Sequence, residues 1–300
     1  MAIDLAVVPV AGIGTRLLPA TKSQPKEMLP VGRKPIVQYV VEELAQSGIK
    51  RLLFITGASK TSIENHFDIN AELIQYLRET GREEQLAALD FERQDVQYFY
   101  TRQRRPLGLG HAVLCARPLI MRQDFVVALG DSIIGLHAQS RVVEQMVELF
   151  ENDRDVKVVV AFEEVPREHV ARYGIARPKG AVDDVFELED VIEKPTVEEA
   201  PSNLAVAARY VFAPEIFDAL ERTAPDRRGE IQLTDAISLL LREGARGLGV
   251  RLPPSERRYD IGNFASYFEA FVEFALADPD YGPGLRQHIE RLLSEGTTQC

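Results

Sequence analysis

The chemistry-bearing residues at the front of the chain are two glycines and three cations. A β-branched run, Leu5–Val10, leads into Ala11, Gly12, Ile13, Gly14, Thr15 and Arg16, and Lys22 and Lys26 follow before Leu29 and Pro30. Glycines let a backbone come close to a ligand, and successive exposed N–H groups make a cradle for an anion. Leu17 stands where the third glycine of G-x-G-x-x-G would be, and no G-x-x-x-x-G-K-[ST] occurs, so neither the dinucleotide fingerprint nor a P-loop is present. A G-x-G alone also fits a tight strand-to-helix turn. Arg16, Lys22 and Lys26 beside it point to a polyphosphate at the end of a first parallel strand, where open α/β sheets bind ligands.

The elements that must position these residues read as alternating strands and helices. Strand candidates are Leu5–Val10, Leu52–Thr56, Val96–Tyr100, Phe125–Leu129 and Val156–Phe162. Between them, Ile36–Ser47, Gly110–Arg117 and Ala138–Phe150 repeat apolar residues at helical spacing, and Gly48 suits a left-handed stop. That alternation predicts βαβ units, a mostly parallel sheet and helices on both faces. Strand-like stretches lie close together over Gly174–Val211, as an antiparallel extension or mixed sheet requires. From Phe264 onward the pattern is helical, interrupted at Pro279–Pro283. We therefore expect a catalytic domain at 1–262 and a helical segment at 263–300.

Several motifs in this order resemble the bacterial UTP–glucose-1-phosphate uridylyltransferases, within the sugar nucleotidylyltransferase superfamily. They are VAGIGTR (10–16), PKEMLP (25–30), QYVV (38–41), SIENHFD (62–68), GLGHA (108–112), VIEKP (191–195), PSNLA (201–205) and GEIQLTDA (229–236). The resemblance runs from the first strand to about Glu273. It implies a Rossmann-like, nucleotidyltransferase-type sheet and the reaction of UTP with glucose 1-phosphate to give UDP-glucose and pyrophosphate, with Mg²⁺. It further implies that family members associate as dimers or tetramers.

Such a reaction needs positioning and charge neutralisation, with no protein nucleophile. By resemblance, Arg16 and Lys26 are the phosphate-gripping pair. Backbone at Ala11, Gly12 and Gly14 cradles the nucleotide, and Gln103 with Gly108 reads the base through an amide that both donates and accepts. Glu193 and Lys194 offer a carboxylate for sugar hydroxyls and a cation for the sugar phosphate, and Gly174 resembles the glycine that approaches the sugar. Lys194 is the single base among eight acids between Asp183 and Glu199. Mg²⁺ takes a few carboxylates plus phosphate oxygens. The resemblance assigns it to Asp131, after a buried strand, and to Asp260, which also fits a turn or cap position.

Two positions depart from the family pattern: Phe264 where lysine is common, and Ala208 where Gly-Arg-Tyr is usual. Ala208 keeps open a pyrophosphorylase for another nucleotide or sugar 1-phosphate; a second alternative, a non-catalytic UDP-sugar-binding paralogue, is argued against by the presence of Arg16, Lys26, Asp131, Glu193 and Lys194 together. The five histidines form no pair at metal spacing, and His111, at the start of a helix, reads as a capping or packing residue. Cys115 reads as a small buried hydrophobe.

Composition narrows the classes. The chain has 300 residues, 45% hydrophobic and 27% charged, with a formal charge of −11, which argues against nucleic acid or an anionic membrane as partner. Yet residues 11–35 carry a local +4 and residues 102–122 a local +5, leaving −20 elsewhere. Two cysteines, Cys115 and Cys300, make no disulfide framework, and no apolar run nears a membrane span. The expected setting is the cytoplasm.

Overall fold

A computed structural model describes residues 2–295; Cys300 and the end of the expected 263–300 segment lie outside them. In chain order the strands are β1 (Leu5–Pro9), β2 (Pro30–Val31), β3 (Lys34–Pro35), β4 (Arg51–Thr56), β5 (Gln97–Arg102), β6 (Phe125–Ala128) and β7 (Ser132–Ile134). They continue as β8 (Val156–Glu164), β9 (Gly174–Lys179), β10 (Val185–Glu193), β11 (Leu204–Phe212), β12 (Arg246–Arg251) and β13 (Arg258–Asp260). The α-helices are α1 (Ile36–Gln46), α2 (Thr61–Phe67), α3 (Ala71–Glu79), α4 (Leu109–Leu114) and α5 (Arg117–Ile120). After them come α6 (Val142–Asn152), α7 (Ile216–Arg222), α8 (Leu233–Arg242), α9 (Phe264–Ala277) and α10 (Gly282–Ser294).

Nine strands form one sheet in the order β5-β4-β1-β6-β11-β8-β12-β10-β9. The first four are mutually parallel, because each is followed by a helical crossover. β11 enters antiparallel between β6 and β8, and β10 and β9 add an antiparallel edge. The mixed sheet expected over 174–211 is therefore present, with one strand of it at the sheet's centre. Buried side chains cover both faces. One cluster joins Val7, Phe125 and Phe212 to α4, α7 and α8, and the other joins Val8, Phe54 and Val126 to α1 and α6.

Local sequence explains where elements stop. Val37, Val40, Val41 and Leu44 bury one face of α1, and Gly48 ends it at φ 85°. The helix expected over Gly110–Arg117 breaks into α4 and α5, because Pro118 starts a new first turn and cannot continue an old one. The helix expected from Ala138 begins at Val142 instead. His137 and Ala138 sit at φ 62° and 54°, and the Ser140 hydroxyl accepts from the Val142 N–H at 3.1 Å. The tail breaks between α9 and α10 where expected, with Pro283 in the first turn of α10. Phe274 of α9 meets Tyr39 and Tyr259 edge-on, each 5.1 Å between ring centres, which seals the helix over the β2–β3 hairpin.

Candidate active site

The first parallel strand ends at Pro9, and the chain leaves the sheet as the glycine loop. Gly14 at φ 75° turns it, its carbonyl accepting from Thr21 Oγ1 at 2.7 Å and Leu17 N at 3.0 Å. A Cβ on Gly12 would lie 3.4 Å from Lys26 Cε, so the loop rests on the lysine stem. Lys26 and Glu27 open a single 3-10 turn, Lys26–Met28, and consecutive residues there point apart. Lys26 reaches Asp131 in an ion pair, while Glu27 turns inward to the buried Lys60 ammonium at 2.7 Å. Asp131 follows β6 at the carboxyl edge. Gly130 before it is required, because a Cβ there would meet Val10 Cγ1 at 2.5 Å. Asp260 ends β13 opposite Ser132 of β7, and Ile261 N donates to Asp131 O at 3.1 Å, so Asp131, in the turn just before β7, lies beside the end of β13.

These charges are coupled. Burial opposes the charge on Lys26, but Asp131, then Glu27 and Asp260, outweigh it and hold its pKa above that of an ordinary lysine. Burial likewise opposes ionisation of Asp131, and Lys26 overcomes it, leaving the carboxyl below its usual range. Asp260 goes the other way: burial raises its pKa, with Arg258 only partly compensating. Arg258 itself is held at 2.6 Å by Glu163, stands 4.7 Å over the Tyr173 ring and lies 3.9 Å from Asp260. Beneath the site, fully buried Arg209 forks onto Glu43 at 3.0 and 2.5 Å and donates to the Ser132 and Ala208 carbonyls at 3.0 Å. Among the described residues no group of three or more His, Cys, Asp or Glu side chains is gathered as a metal cage. Asp131 and Asp260 fit a hard cation that completes its shell with phosphate oxygens and water.

A cavity of about 440 Å³ unites Ala11, Gly12, Gly14, Arg16, Lys26, Gln103, Gly108 and Asp131. Gln103 closes one end, its Nε2 donating to the Gly108 carbonyl at 2.9 Å. Gly108 needs its φ of 93° and its bare Cα, since a Cβ would meet Ile231 O at 2.7 Å. Gly174, Glu193 and Lys194 stand together where β9 and β10 pair. Glu193 Oε1 accepts from Lys194 Nζ at 2.6 Å and Oε2 from Thr234 Oγ1 at 2.7 Å. A Cβ on Gly174 would meet Thr234 Cγ2 at 2.6 Å.

A model of the nucleotidyl transferase family matches residues 5–275. The chain is 42% identical over 294 residues to a Bacillus subtilis UTP–glucose-1-phosphate uridylyltransferase, YngB, covering 98% of this chain and 97% of that one. The Pseudomonas aeruginosa UTP–glucose-1-phosphate uridylyltransferase is 42% identical over 269 residues, 89% and 94% of the two chains. This chain belongs to the UTP–glucose-1-phosphate uridylyltransferase family of nucleotidyl transferases. A UTP-bound member from Acinetobacter baumannii superposes with TM-score 0.87 at 36% identity, over 97% of this chain and 99% of that one. A UDP-glucose pyrophosphorylase complexed with UDP-glucose superposes with TM-score 0.80 at 37% identity, over 91% and 98%.

Within this uridylyltransferase-family fold, eight of the residues singled out by sequence line one cavity, and Asp260 adjoins it through the β7–β13 register. Gly174, Glu193 and Lys194 form a second group, bound to the first by the segment Glu230–Thr234. Ile231 exchanges backbone hydrogen bonds with Leu107 and Gly110 at 2.8 Å, and Thr234 holds Glu193. Lys194 is more than half exposed. Sequence reasoning missed Lys60, Arg258, Thr234 and the Glu43–Arg209 pair. Thr234 lies inside the quoted GEIQLTDA motif, and Arg258 two residues before Asp260; Lys60 and Glu43 carry no spacing signal at all. His111, expected as a capping or packing residue, packs with its ring against the Gln103 amide. Cys115 is half-buried against the core.

Proposed function

We propose that this chain transfers the uridylyl group of UTP to glucose 1-phosphate, releasing pyrophosphate and UDP-glucose. The observation that carries this reading is the Lys26–Asp131 ion pair beneath the glycine loop, with Asp260 on the adjoining strand. An oxygen of the sugar phosphate attacks the α-phosphorus in line, and the bond to the β-phosphate oxygen breaks. Backbone N–H groups of the loop at Ala11, Gly12 and Gly14 approach the nucleotide. Lys26, kept charged by its neighbours, and exposed Arg16 neutralise the triphosphate and the departing pyrophosphate. Gln103 and Gly108 face the base. Gly174 gives the sugar room, Glu193 accepts its hydroxyls, and Lys194 swings from Glu193 to the sugar phosphate.

Asp131 and Asp260 would hold Mg²⁺, which when bound screens phosphate charge and favours the in-line geometry. We read residues 1–262 as the catalytic unit and 263–300 as a segment whose described helices, α9 and α10, support a homo-oligomer, dimer or tetramer, through the exposed Phe268 and Val272. Among the described residues no helix is long and apolar enough to cross a membrane, and we place the enzyme in the cytoplasm with no nucleic-acid partner.

Incubation with UTP, glucose 1-phosphate and Mg²⁺ should release pyrophosphate, and chelation should stop it. A panel of four nucleotides against several sugar phosphates tests the substrates. No release from any pair would leave only binding of a UDP-sugar.

A further inference from the structure

Gln103 is held by more than its own segment. Its backbone N–H donates to Thr56 O at 2.9 Å, and its side chain is almost wholly buried. The amide nitrogen carries two hydrogens, and both are taken: Gly108 O lies at 2.9 Å and His111 Nδ1 at 3.0 Å. A backbone carbonyl can only accept, so the nitrogen must be the atom that faces it. His111 Nδ1 must then accept as well, which puts the ring proton on Nε2. Burial lowers the His111 pKa and keeps that ring neutral. Cys115 Sγ stands 3.8 Å from the same Nδ1, one helical turn on. The helix start that carries His111 is itself clamped, because Cβ atoms on Gly108 or Gly110 would meet Ile231 O at 2.7 and 2.8 Å.

What remains of Gln103 is Oε1, which receives no hydrogen bond from any described residue and belongs to a side chain lining the nucleotide cavity. We infer that His111 is the positioning residue that fixes base specificity: it locks the Gln103 amide so that the site presents an acceptor. This rests on the transferase reading above, in which Gln103 meets the base. Uracil offers an N3–H donor to such an oxygen. Cytosine has a bare N3 lone pair at that place, and two acceptors facing each other leave both unsatisfied. The device discriminates UTP from CTP; it does not separate uracil from thymine, which shares the N3–H.

The test is binding of UTP and CTP by calorimetry to wild type, His111→Leu and His111→Gln, with pyrophosphate release measured alongside. Wild type should prefer UTP at least tenfold. His111→Leu removes one of the two acceptors that hold the amide nitrogen, leaves the Gly108 carbonyl alone to resist turnover, and should lower that preference several-fold, mainly by improving CTP. His111→Gln places a carbonyl near the lost nitrogen and should recover most of it. An unchanged UTP-to-CTP ratio in a folded His111→Leu protein overturns the assignment, as does a wild type without preference. Should the leucine variant not fold, ¹⁵N resonances of wild-type His111 decide: an unprotonated Nδ1 supports the lock, and a protonated Nδ1 overturns it. A wild type that keeps the UTP-over-CTP binding preference but releases no pyrophosphate would sink the transferase reading alone.

Discussion

Lys26 and Glu27 are adjacent in sequence and opposite in fate, one aimed into the cavity and the other sealed against Lys60. Because its neighbours raise the Lys26 pKa, its charge is complete below the ordinary lysine value and is lost only as pH rises through the higher folded value. The turnover rate should therefore stay level to about pH 10 as far as this group is concerned, which a kcat–pH profile checks against Lys26→Arg. Lys26→Ala should lower kcat by about 10²–10³-fold in pyrophosphate release; wild-type turnover would remove Lys26 from the chemistry. Asp131→Asn should raise the Mg²⁺ concentration giving half-maximal rate, and an unchanged titration would reject it as a ligand. Lys26 and Asp131 were legible as cavity residues because Lys26 sits in the PKEMLP motif and Asp131 just past a buried strand. Lys60 was not, since its role comes from a contact across 33 positions that no local pattern encodes.

At the scale of elements, β11 shows what alternation cannot reveal. All nine of its residues are buried, so it has no period-two signature to mark it as the antiparallel strand at the centre of the sheet. Its register against β8 skips between Val206 and Tyr210, and within that bulge Ala208 sits at φ 61°. The left-handed conformation costs an alanine about 1–2 kcal/mol, against about 0.5–1 kcal/mol of extra chain entropy lost by glycine. Ala208→Gly should therefore raise the thermal midpoint by roughly 1–3 °C; a fall would show that the methyl packs usefully. Next to it, Arg209 and Glu43 bind each other with no access to solvent. Glu43→Leu, which strands the guanidinium, should cost about 3–5 kcal/mol in denaturant unfolding. The double variant Glu43→Leu with Arg209→Met should lose clearly less.

Across the whole molecule, the net −11 is not what a nucleotide meets. The basic stretch 11–35 brings Arg16 and Lys26 to the cavity. The second stretch divides: Gln103 between Arg102 and Arg104 reaches the site, whereas Arg117 is spent on Asp218 and Glu221 at 2.8 Å. A local positive field of this kind raises the encounter rate at low salt, so kcat/KM for UTP should fall several-fold between 20 and 300 mM salt, read from initial rates. Charge counting along the chain located the field; it could not tell which arginines were already neutralised by acids a hundred positions away.

The cavity's roof comes from the first thirty residues, while Asp260, Gly262 and the α9 brace over the β2–β3 hairpin come from beyond residue 257. In a chain growing on the ribosome the glycine loop therefore emerges long before the residues that complete its surroundings. A product cut short before Asp260 lacks the second aspartate proposed for the metal and should release no pyrophosphate.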